Sequence, residues 1–108
     1  MKRFEIYAAK LPYGSETGTY VIILGNGVVD NAIFCAPIMF GKNDDDKNRF
    51  HIKANTKNGR AGTIIAKHMR NLETDRINGI VDEVTEEDCQ YIKEKIAALY
   101  MPLNMKRV

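Results

Sequence analysis

The chain is sparing with the residues that staple or tether small proteins. Its two cysteines, Cys35 and Cys89, are too few for a disulfide framework. Each stands in an apolar pattern, so both read as free buried thiols. No apolar run reaches the length of a membrane span. The opening Met1-Lys2-Arg3-Phe4-Glu5 has the positive charge of a signal peptide without the apolar stretch that should follow. A cytoplasmic location is therefore expected, with no membrane contact. The net charge is only +2, too small to mark a nucleic-acid binder by electrostatics alone. The two histidines lack ligand spacing with the cysteines, so neither a metal nor another cofactor is expected. Internal repeats, low-complexity tracts and phosphate-binding glycine patterns are missing too; Gly25-Asn26-Gly27 reads as a hairpin turn.

What remains is a chain of 108 residues, 44% hydrophobic and 28% charged, enough for one modest core in a single domain spanning 1–108. Its acids are clustered, at Asp44–Asp46 and again at Glu83, Glu86, Glu87 and Asp88, which leaves room for a local basic patch.

Alternation predicts a first strand over Phe4–Leu11, broken by the Pro- and Gly-containing loop Pro12–Gly18. The β-branched run Thr19–Leu24 predicts a strand covered on both faces. A third strand is expected over Ala32–Phe40, with Pro37 arguing for an edge position or a bulge. A polar loop follows, then a half-exposed strand over Arg49–Ala54 and a turn over Asn55–Arg60. Gly62–Met69 reads as a buried strand, Leu72–Gly79 as a single helical turn closed by Gly, and Ile80–Val84 as a short last strand. Thr85 with Asp88 predicts a capping box, with Val84 and Cys89 as its staple. The helix that follows would present Cys89, Ile92, Ile96, Leu99 and Tyr100 on one face and end before Pro102. The fold class is mainly β with a C-terminal helix: a small antiparallel sheet or open barrel with the helix packed across it.

Two groups of residues have chemical potential. Lys67, His68 and Arg70 lie within four positions at the end of the Gly62 strand. Strand geometry would put His68 and Arg70 on one face and Lys67 on the other. His68 can act as an acid or base on phosphate, and Arg70 can hold two oxygens. The plainer reading is a partly buried His bonded to a carbonyl and an Arg paired with Glu73 or Asp75. Arg49, His51 and Lys53 share one strand face, a solvated face in the plain reading. Beside Lys42 and Arg70 they would instead form a stripe that follows a single-stranded backbone. Ser15, Glu16 and Thr17 offer hydroxyls and a carboxylate in the first loop, where they also suit a self-bonded turn.

The order of these pieces resembles the MazF/PemK/Kid-type toxins of bacterial toxin–antitoxin modules, which share a CcdB-like, SH3-like barrel. Arg3–Leu11 is similar to the family's opening Arg-Gly-Asp-Val-Tyr strand, and Gly14–Gly18 to its Gly-Ser-Glu-x-Gly loop. Val21–Asn26 looks like the second strand with its closing Asn. Gly62–Glu73 resembles the strand that ends in Glu-Gln-x-Arg-x-Ile-Asp. The resemblance implies a homodimer, a small acidic antitoxin as partner, and sequence-specific cleavage of single-stranded RNA. It implies RNA contacts at Ser15, Glu16 and Thr17. It also exposes departures. Thr19-Tyr20 stands where the family continues to its catalytic Arg, Met39 near its catalytic hydroxyl, Lys67 on its acid, and Phe4 on a Gly. Either Lys67, His68 and Arg70 rebuild the site, or catalysis is gone and the scaffold binds a protein such as an antitoxin or gyrase, or RNA without cutting it.

Overall fold

The computed structural model describes residues 1–11, 19–41 and 48–100. Seven antiparallel strands form one sheet: β1 (Glu5–Ala9), β2 (Thr19–Ile23), β3 (Ala32–Phe40), β4 (His51–Asn55), β5 (Ala61–Ile65), β6 (Arg70–Glu73) and β7 (Ile77–Glu83). The order across it is β4-β5-β3-β2-β1-β7, with β6 also on β3. An isolated bridge between Thr56 and Val84 draws the two outer strands together at one end, supported by Lys57 N–H to the Glu83 carbonyl at 2.8 Å. The sheet thus curls into the expected open barrel, and the helix α1 (Glu86–Tyr100) packs over it.

The expected two-sided cover of β2 is borne out. Ile22 and Leu24 join the core that includes Ile6, Ile38, Ile52, Ile64 and Ile92. Val21 and Ile23 point the other way, toward Ile33, Cys35, Leu72 and Ile77. Helix α1 contributes Ile92, fully buried, with Cys89, Ile96 and Leu99 packed around it. Tyr100 departs from the expected apolar face: its ring is exposed and its hydroxyl donates to the Ala66 carbonyl at 3.2 Å.

Three expectations are corrected. The tight turn before β3 is Asp30-Asn31, not the Gly25 stretch. Both residues are left-handed (φ 51° and 60°), and Val29 and Ala32 exchange backbone hydrogen bonds across them. That is a two-residue hairpin turn in the residue types that tolerate it best after glycine. The capping box is not made: the Thr85 N–H goes to the Asn55 carbonyl, and the Asp88 carboxylate accepts from the Asn55 backbone and side-chain N–H groups at 2.7 and 3.2 Å. Helix α1 is thereby bolted to the end of β4. Gly79 closes no helix; a 3-10 turn over Thr74–Arg76 leads straight into β7, which contains it.

Pro37 lies inside the sheet rather than at its edge, at an irregularity of the kind its bulge alternative expected. β3 pairs with β6 over Ala32–Cys35 and with β5 over Ile38–Phe40, and Pro37 falls between the two ladders. A residue without an N–H is tolerated there because no neighbour requires its donor.

Candidate functional site

Opposite that gap the neighbouring chain leaves the sheet. Ile64 faces Ile38 and Arg70 faces Cys35, so six steps along one chain answer three along the other. The surplus is taken up by a 3-10 turn, Ala66–His68. The continuous strand expected over Gly62–Met69 is therefore interrupted, and the alternating placement of Lys67, His68 and Arg70 fails with it. Lys67 and His68 are exposed on the arch, whereas Arg70 is half-buried in β6. Arg70 stands opposite Cys35. Burial pushes that thiol up to about 11, and the Arg70 charge partly offsets the rise.

The arch is held at three points. Ala66 N–H donates to the Phe50 carbonyl at 2.8 Å, the Tyr100 hydroxyl to the Ala66 carbonyl, and Met69 N–H to the same carbonyl at 3.2 Å. It therefore sits where the start of β4 meets the end of α1.

A groove of about 610 Å³ runs between those same two elements. Asn48, Arg49, His51 and Lys53 line one side, and Tyr91 and Lys95 of α1 the other. The expected common face of Arg49, His51 and Lys53 is thus a wall of this groove, and none of the described residues lining it is acidic. Arg49 lies over the Phe50 ring at 4.9 Å and Lys95 is 5.6 Å from the centre of Tyr91. The Nδ1 of His51 is buried with no hydrogen-bond partner. Tyr91 and Lys95 carry no signal in the sequence: on an amphipathic helix they look like solvent-side residues, and only the docking of α1 on β4 brings them to the groove. Ser15, Glu16, Thr17 and Lys42 lie outside the described residues. Among those described, no group of His, Cys, Asp and Glu side chains is placed to hold a metal, and no helix is long and apolar enough to cross a membrane.

A family model, the PemK-like, MazF-like toxin of type II toxin–antitoxin systems, matches residues 2–100. The chain belongs to this family. A PemK-like, MazF-like toxin has an antitoxin for its partner, and the curled sheet with its C-terminal helix is consistent with the MazF-like fold. Compared one by one with curated proteins, the chain matches none.

Membership gives meaning to the other end of β3, where the resemblance locates a catalytic Arg and a hydroxyl. Here Tyr20 and Phe40 meet edge to face, their ring centres 5.3 Å apart, and Met39 is exposed. A cation does stand at that end. Arg60, from the turn between β4 and β5, lies over Phe40 at 5.1 Å, and its Nε is 3.7 Å from buried Asp82. In sequence Arg60 looked like an ordinary turn residue.

Proposed function

We propose that this toxin is a growth inhibitor that cleaves single-stranded RNA, working in the cytoplasm as a homodimer restrained by a small acidic antitoxin. The 2′-hydroxyl of the substrate attacks the adjacent phosphate and His68 takes its proton; Lys67 and Arg70 stabilise the charge that develops on the phosphorane, the bond from phosphorus to the 5′-oxygen breaks to leave a 2′,3′-cyclic phosphate, and the leaving 5′-oxygen takes a proton from solvent. Arg49, His51 and Lys53, with Lys42 and the Ser15–Thr17 loop, hold the strand. The observation that carries this reading is the position of the arch: Lys67 and His68 are exposed beside the start of β4 and the end of α1, the two elements that wall the basic groove, although neither lines it. A strand held in the groove can then present a phosphodiester to His68.

The test is cleavage of a mixed-sequence single-stranded RNA by purified protein. His68→Ala is expected to lower the rate by about 10²–10⁴-fold, the usual contribution of a general base. An unchanged rate removes His68 from the mechanism.

The exposed apolar Met39, beside the Tyr20–Phe40 contact, favours a second reading, in which the scaffold poisons a protein target such as gyrase and cuts nothing. Its signature is growth arrest with DNA-damage signalling and intact RNA.

A further inference from the structure

Helix α1 supplies the second wall of the groove, and its contribution differs in kind from that of β4. The strand wall carries two cations, Arg49 and Lys53, with the His51 imidazole between them in sequence. The helix wall pairs a cation with an aromatic side chain, Lys95 four residues after Tyr91, with the ammonium 5.6 Å from the ring centre and Tyr91 as a residue 43% exposed. Cations that follow a backbone, combined with an aromatic face on which a base can lie, are what a protein needs to hold unpaired nucleic acid. A stretch of carboxylates alone would use the charges but has no π-face to place on Tyr91. A duplex buries the faces of its bases and cannot use the ring either.

We propose that Tyr91 is a stacking platform for an unpaired base and that Lys95, across the groove from Arg49 and Lys53, binds a neighbouring phosphate, so that α1 is an RNA-binding element. This rests on the RNA reading above but not on cleavage. A groove of about 610 Å³ is within the range of preformed ligand sites, roughly 300–1,000 Å³. The ligand class is thus single-stranded RNA in preference to duplex, with the sequence tolerance expected of stacking.

The experiment is fluorescence anisotropy with a labelled 2′-O-methyl RNA hexamer, which cannot be cleaved, using the full chain and its Tyr91→Ala, Tyr91→Phe and Lys95→Gln variants. Tyr91 and Lys95 are exposed, and circular dichroism checks that each variant folds. Tyr91→Ala is expected to weaken binding about tenfold, while Tyr91→Phe, which keeps the ring, binds like the parent. Lys95→Gln is expected to weaken binding and to lower the salt slope by about 0.7. A self-complementary duplex is expected to bind more weakly than the single strand. Equal affinity of the parent and Tyr91→Ala for the hexamer overturns the proposal. So does a poly-glutamate peptide that binds as tightly as RNA and loses as much on Tyr91→Ala. Parallel cleavage of unmodified RNA separates the two claims. Binding with this profile but no cleavage sinks the nuclease reading and leaves the platform standing. Cleavage whose KM ignores Tyr91→Ala does the reverse.

Discussion

Phe4 sits at φ 74°, in the left-handed region that a bulky side chain rarely enters, and yet its ring is buried in the core. Its backbone is fixed on both sides: its N–H donates to the Ile23 carbonyl at 2.7 Å, and its carbonyl accepts from Val84 N–H at 3.0 Å. The resemblance locates a glycine at this position, and the backbone explains why one is suitable there. The left-handed conformation costs a non-glycine residue about 1–2 kcal/mol, and burial of the ring offsets it. Removing the ring from a core usually costs about 3–5 kcal/mol. Phe4→Ala should lose the ring and keep the strain, whereas Phe4→Gly loses the ring and the strain together. Urea denaturation is therefore expected to rank Phe4→Gly above Phe4→Ala by about 1 kcal/mol, the reverse of the order at an ordinary position. If alanine is the better tolerated, the strain is not there.

At the scale of elements, the turn between β4 and β5 is closed by a carboxylate from a third strand. Asp82 of β7 is almost fully buried. Burial pushes its pKa up, but hydrogen bonds from the Thr56 hydroxyl and from the Glu83 and Asn58 N–H groups, with the nearby Arg60 cation, more than compensate. The net effect holds it below the usual 3.8. A carboxylate depressed in the folded state contributes stability that is fully present above its unfolded pKa and is lost as pH falls through the folded value. Asp82→Asn is expected to cost about 1–3 kcal/mol at pH 7, the range for a hydrogen-bonded buried charge. The gap between parent and variant should narrow as the pH is taken below the usual 3.8, which urea midpoints at each pH will measure. Elements also show what composition can reveal. The run from Ala32 to Phe40 has strand composition and is a strand from end to end. Gly62–Met69 has it as well, but it is interrupted opposite Pro37 of the neighbouring strand, a partner that no window along that run contains. Asp88 likewise had the spacing of a capping box, and Asn55, distant in sequence, provided a competing set of bonds.

For the molecule as a whole, a net charge of +2 conceals segregation. The groove between β4 and α1 is lined by cations, while a separate hollow of about 450 Å³ is edged by Asp30, Glu73 and Asp75. Lys53 and Lys95 are far apart in the chain, so their contribution to one patch is visible only after folding. Binding that engages about three phosphates through Arg49, Lys53 and Lys95 should show a slope near −2 in log K against log salt concentration, at about −0.7 per phosphate of a single strand. Titrations between 50 and 300 mM salt, at concentrations set by the experimenter, test it; a flat response means that the groove does not grip the backbone.

The arch opposite Pro37 has a consequence for how this scaffold changes over time. Its residues add nothing to either ladder, since Ile64 and Arg70 keep their partners whichever side chains stand between them. Lys67 and His68 can therefore be exchanged with little penalty in pairing, and the sheet would carry an acid, a base or a cation there with equal ease. Opposite a proline in one strand, its neighbour thus offers two positions whose side chains can change without redrawing the barrel.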